Sequence, residues 1–136
     1  MATPERRLAE FVVDLTVEDL PPSVTERAGL TIADTVGTII GGMSDPAVSG
    51  LIQQWQWSAT GEATVLGADT QRVTKYEAAF LNATAGTVLE LDEGHRFAAG
   101  HPAIHVLPAI LADGENGYGS KEAFLAAFGR SKYPIS

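Results

Sequence analysis

The run from Val73 to Leu91 constrains the fold of this chain more than any other stretch. Tyr76, Ala79, Phe80, Ala83, Thr87 and Glu90 recur at helical spacing. Little charge falls on any face, and a helix that is apolar all round has to be covered by other elements. It is therefore expected at the centre of the fold, with its C-terminal end delivering Glu90 and Asp92.

The rest of the chain reads as helices separated by Gly, Pro and Asp. Leu8, Phe11, Val12 and Leu15 share a helical face. Pro21-Pro22 stops that segment, and Ser23 with Glu26 has the form of a capping box for a helix over Val24 to Ile40. Gly41-Gly42 ends it. Asp45-Pro46 starts another helix, predicted to run through Trp55 or Trp57, with the two tryptophans on different faces. Ala63 to Leu66, followed by Gly67 and Asp69, predicts a short strand or extended link. Pro102 to Leu111 predicts a further apolar helix, Asp113 to Gly119 a turn, and Ser120 the cap of a last helix containing Phe124, Leu125 and Phe128. The fold class expected is all-α. Asp34, set among apolar neighbours, is expected as a buried, hydrogen-bonded core carboxylate.

Length and composition narrow the function classes. The 136 residues suit one domain or part of a larger one. An independent domain of this size buries roughly 68% of its unfolded surface, so a core is possible. Hydrophobic residues make up 45% and charged residues 19%, a globular balance. A net charge of −8 and nine scattered basic residues argue against a nucleic-acid face. Without cysteine there is no disulfide, thiolate nucleophile or Cys-based metal site. No signal core and no long uninterrupted apolar span is present, so the chain reads as a soluble, cytoplasmic protein with no membrane partner.

Chemistry concentrates between Glu90 and Pro108. This segment holds Glu90, Asp92 and Glu93 together with His95, His101 and His105, all the histidines of the chain. Histidine is the usual proton carrier near neutral pH, and crowded carboxylates favour shared protons. His101-Pro102 also opens a helix, where the macrodipole favours a neutral imidazole or an anionic ligand. The plain alternative is a solvated acidic face and a histidine that merely caps a helix. His101 and His105 stand four residues apart, the spacing of metal ligands, and with His95 and a carboxylate could form a metal site. Against this, no His-Glu-x-x-His occurs, and His105 in Ile104-His105-Val106 reads as a core histidine. No nucleophile elbow, dinucleotide fingerprint or phosphate loop is present, and Gly117-Tyr118-Gly119 reads as a turn.

Five short motifs stand in an order that resembles the MmgE/PrpD family, which includes 2-methylcitrate dehydratase and cis-aconitate decarboxylase. They are Asp34-Thr35-Val36-Gly37 followed by Gly41-Gly42; Thr64-Val65-Leu66-Gly67; Ala79-Phe80-Leu81-Asn82; Leu89-Glu90-Leu91-Asp92-Glu93; and Gly100-His101-Pro102 with Pro108-Ala109. Each is weak alone, but the ordered set is specific and spans about Leu8 to Phe128. The resemblance implies the N-terminal part of a large helical domain, with one short extended segment. In the family that domain is joined by a smaller α/β lid and the protein is usually a homodimer. The resemblance further implies cofactor-independent lyase chemistry on small polycarboxylates, by proton removal next to a carboxylate. Glu90 stands where the family has an active-site carboxylate, with Asp92 able to take that role. His101 matches the active-site histidine. Arg96, His95 and Glu93 are expected on the substrate side, and Asp34 matches a recurrent Asp without an assigned role.

The departures shape the expectation. Glu93 replaces a frequent Asp, Ala83 a common Gly, and Gly94 a hydroxyl residue of the decarboxylase branch, which argues against decarboxylation. The family continues well past this length, and its lid and its remaining histidine, lysines and tyrosine have no counterpart here. Residues 1–128 are expected as a partial family domain and 129–136 as a non-family tail in which Pro134 ends any helix. The tail could be a frameshift remnant, a cloning remnant or the end of a natural split subunit. Polycarboxylates need cationic clamps, and Glu90 to Pro108 offers only Arg96. Little activity is therefore expected of the isolated chain. A homo-oligomer or a complementing C-terminal chain is the expected partner. The rival readings are a non-catalytic assembly or regulatory module and a small His/carboxylate metal-binding protein.

Overall fold

Prolines and short polar side chains start the helices of this chain in its computed structural model, which describes residues 2–58, 61–68, 72–96, 99–117 and 120–132. Helix α1 (Pro4–Asp14) begins at Thr3, whose hydroxyl accepts the Arg6 N–H. A short 3-10 turn (Val17–Asp19) leads into α2 (Pro22–Gly42). Pro22 takes the first helical position of α2, which suits its fixed φ. Ser23 thus lies inside the helix and makes no cap, contrary to the capping-box reading. Asp45 caps α3 (Pro46–Gln54) by accepting the Ala47 N–H at 2.8 Å, as expected. Thr74 and Glu77 form a reciprocal capping box at the start of α4 (Lys75–Val88). Helices α5 (Pro102–Gly114) and α6 (Lys121–Lys132) complete the order. Among the described residues there is no strand, so the class is all-α. Asp69, Tyr118, Gly119 and 133–136, to which parts of the turn and tail readings refer, lie outside the described residues.

Helix α4 is central, but it is not covered all round: of the residues read at helical spacing, Tyr76, Phe80 and Thr87 are exposed. It packs against α2, α3 and α5. Ala78, Leu81, Asn82, Ala85 and Gly86 are buried along it. Glycine makes the closest approach possible: a Cβ on Gly42 would stand 1.8 Å from the Ala85 carbonyl oxygen. One apolar cluster joins Ile39, Val48, Val65, Val73, Leu81 and Ile104. A second joins Ala28, Ala103, Leu107 and Phe128, seating α6 on α2 and α5.

The extended link is held by a side chain. Ala63 pairs with Val73 in one antiparallel bridge. The buried Asn82 amide then clamps both sides of Val65: its Oδ1 accepts Leu66 N–H at 2.9 Å and its Nδ2 donates to the Thr64 carbonyl at 3.0 Å. Glu115, just past α5, accepts the Thr64 N–H and hydroxyl at 3.0 and 2.7 Å.

Several local readings are corrected. Asp34 is exposed, not buried. The buried line of α2 is Thr31, Thr35, Ile39 and Gly42, so Asp34 and its apolar neighbours Leu30 and Ile40 turn outward together. His105 is exposed as well, because α5 buries Ala103, Ile104, Leu107, Pro108 and Ala112 on its other side. Helix α3 stops at Gln54, so Trp55 and Trp57 lie on the extended chain beyond it and both are half-buried. Helix α5 runs three residues past Leu111, taking Asp113 and Gly114 out of the turn. Helix α6 continues past Phe128 through Gly129, where a Cβ would meet Leu20 Cδ1 at 2.7 Å. Helix α1 buries no residue, despite its apolar face.

Candidate active site

The end of α4 and the start of α5 bring the chemistry together. Leu89 closes α4 and Glu90 follows at φ 52°, a left-handed conformation that turns the chain. The loop from Leu91 returns through an antiparallel bridge between His95 and Gly100, with His95 N–H donating to the Gly100 carbonyl at 2.8 Å. Ala99, at φ 48°, makes the second left-handed turn. His101 then sits at the N-cap of α5, before Pro102.

Within this loop Asp92 Oδ2 lies 3.1 Å from His101 Nδ1. The Asp92 side chain is 4% exposed and that of His101 is 48% exposed. The same Nδ1 is 3.3 Å from the Asp92 carbonyl oxygen. A carbonyl only accepts, so the geometry assigns a proton to Nδ1, and in the neutral ring the Nε2 lone pair is then available. A covered carboxylate that orients a half-exposed imidazole is the arrangement of a general base.

The other predicted residues are placed around this pair. Glu93 Oε2 accepts the Ala103 N–H at 3.3 Å, at the N-terminus of α5. His95 is half-buried and fixes the loop through its backbone. Glu90 and Arg96 are exposed. Among the described residues no group of three or more His, Asp or Glu side chains is arranged to hold a metal ion. Exposed His105 makes no contribution to the Asp92–His101 contact.

Two features escaped the sequence reading. Glu77 gathers five hydrogen bonds: Trp55 Nε1 at 3.0 Å, Ser58 N and Oγ at 3.3 and 3.0 Å, and Thr74 N and Oγ1 at 3.0 and 2.7 Å. Burial opposes its ionisation, but the bonds from Trp55, Thr74 and Ser58 outweigh burial and hold its pKa at about 2. The Thr74-x-x-Glu77 pattern was the available signal. The second feature is a hollow of about 350 Å³ between α4 and α5, lined by Lys75, Tyr76, Ala79, Ala109, Ile110 and Asp113. Its charges neutralise each other, Lys75 Nζ standing 2.9 Å from Asp113 Oδ1. It contains neither Asp92 nor His101, so the candidate chemistry lies outside it.

The model of the MmgE/PrpD N-terminal domain family matches residues 6–130. Comparison with curated proteins found no match, and comparison with solved structures found none. Among the described residues no helix is long and apolar enough to cross a membrane.

Proposed function

The chain belongs to the MmgE/PrpD family through its N-terminal domain, and on that premise we propose that it forms one wall of a lyase site resembling that of 2-methylcitrate dehydratase. The Asp92–His101 pair is the observation that carries this reading. In the reaction, His101 Nε2 takes a proton from the carbon next to a substrate carboxylate. Asp92 holds the ring and stabilises the imidazolium that results. The electron pair left on carbon forms the double bond as the neighbouring hydroxyl takes a proton from the imidazolium and departs as water, which returns His101 to its neutral form. The Glu90 carboxyl, which is exposed, would exchange protons with substrate, and Arg96 and His95 would meet substrate carboxylates. A polyanion needs further cations, and within Glu90 to Pro108 only Arg96 supplies one. A second copy of this chain or a companion chain would supply the rest.

The test is an assay of 2-methylcitrate dehydration, with cis-aconitate decarboxylation as the alternative branch, on the assembly the chain forms in its own cell. Dehydration is expected, with loss in His101→Ala. An active assembly whose rate is unchanged by His101→Ala overturns the site assignment.

A second reading is favoured by exposed apolar side chains. Val13 is 77% exposed, Leu91 67% and Leu30 62%. A non-catalytic assembly module would bury them against a partner. Measuring its mass in solution discriminates: a monodisperse monomer that binds no companion chain counts against this reading.

A further inference from the structure

We infer that Glu93 is a positioning residue that leaves His101 free to pair with Asp92. An N-cap side chain ordinarily accepts a backbone N–H from the second or third residue of its helix. His101 is the N-cap of α5 and makes no such bond. Its ring turns to Asp92 instead. Pro102, at the first helical position, has no N–H, so Ala103 carries the first donor that needs a partner. Glu93 supplies that partner from ten residues upstream, with Oε2 3.3 Å from Ala103 N.

Three contacts among the described residues then close the loop. Asp92 meets His101, Glu93 meets Ala103, and His95 meets Gly100. Asp92 and Glu93 are adjacent, as are His101, Pro102 and Ala103. The cap therefore sets the distance between the chain segments that carry the catalytic pair. Glu93 is engaged at the helix start, half-buried, rather than presented to substrate. The role needs an acceptor oxygen at the end of a side chain of this length, and it does not need a full charge. The mechanistic importance of this role rests on the proton-transfer reading; the positioning itself does not.

The test uses the full chain labelled with nitrogen-15, without substrate. Long-range nitrogen–proton spectra at alkaline pH report the tautomer of each histidine ring, and His101 is identified by its absence in His101→Gln. A single Nδ1–H tautomer is expected in the wild type. Glu93→Gln keeps the acceptor and should retain that spectrum. Glu93→Ala should average the two tautomers and speed exchange of the Ala103 amide about tenfold, the loss of one hydrogen bond. An unchanged tautomer in Glu93→Ala overturns the proposal, and so does a Glu93→Gln spectrum as averaged as that of Glu93→Ala. If Glu93→Ala does not fold, Glu93→Asp keeps the charge on a shorter stem. Averaging is expected there too, and an unchanged spectrum overturns the proposal. Because no turnover is read, failure of the lyase assays leaves this result standing, and the reverse also holds.

Discussion

Asp92 Oδ2 stands 3.1 Å from His101 Nδ1, joining the segment after α4 to the N-cap of α5. The carboxylate is covered and the imidazole is half-exposed, so one member orients and the other can reach a ligand. Asp92→Asn would keep the size of the side chain and let an amide meet Nδ1. The orientation would survive in part and the tautomer would not. A fall of about 10²–10⁴ in kcat is expected in an active assembly. A kcat within twofold of wild type would remove Asp92 from the mechanism.

Glu90 adopts φ 52°, where a side chain is strained and glycine is not. Glu90→Gly should raise stability by about 0.5–1 kcal/mol, measured by urea unfolding. The same variant should lose activity if the carboxylate serves the reaction. Unchanged turnover with raised stability would leave Glu90 no catalytic part.

Asn82 holds Leu66 N and Thr64 O from the middle of α4. Asn82→Ala leaves both groups without their partner in a buried setting. A loss of about 2–4 kcal/mol is expected in denaturant unfolding. A loss below about 0.5 kcal/mol would mean that water replaces the amide without penalty.

Glu77 has its pKa depressed to about 2 from an ordinary 4.5, because the hydrogen bonds to its carboxylate outweigh burial. A depressed carboxylate stabilises the fold fully above its unfolded value. Its contribution is lost as pH falls from about 4.5 towards 2. Glu77→Gln should cost about 1–2 kcal/mol at neutral pH, allowing for solvent screening. The gap between variant and wild type should close on acidification. A gap that stays constant between neutral pH and the acid limb would show that ionisation of Glu77 is irrelevant.

Two glycines of α2 should respond with opposite sign to alanine. At Gly42 a Cβ meets the Ala85 backbone at 1.8 Å, so α2 and α4 must separate, at about 1–3 kcal/mol. At Gly37 nothing lies within 4 Å, and alanine should add about 0.5–1 kcal/mol through helix propensity. Thermal unfolding of the two variants measures both. A shared sign would contradict the packing described.

Helix periodicity, caps and the apolar character of Val73 to Leu91 were legible because they depend on neighbours within a few residues. Asp45-Pro46 and Ser120 gave starts that the structure keeps. The places where the reading failed are those where phase or distance decides. Asp34 and His105 have apolar sequence neighbours, yet each falls on the outward side of its helix. A rotation of about 100° per residue separates a core position from a surface one, and only the packing of α2 and α5 against α4 sets which side is inward.

The candidate site divides in the same way. By itself the sequence determined an all-α chain, its family, and a segment concentrating carboxylates and histidines. It left open which carboxylate serves His101. Asp92 and His101 are nine residues apart, while Glu93 is nearer in sequence and Glu90 only two residues farther. Tertiary structure chose among them. The left-handed turn at Glu90, the His95–Gly100 bridge and the Glu93 cap bring Asp92 to the imidazole and leave Glu90 in solvent. The physical reason is that a hydrogen bond forms only within a few tenths of an ångström of its proper length. Residue order does not carry that precision, and three closed contacts around a loop do.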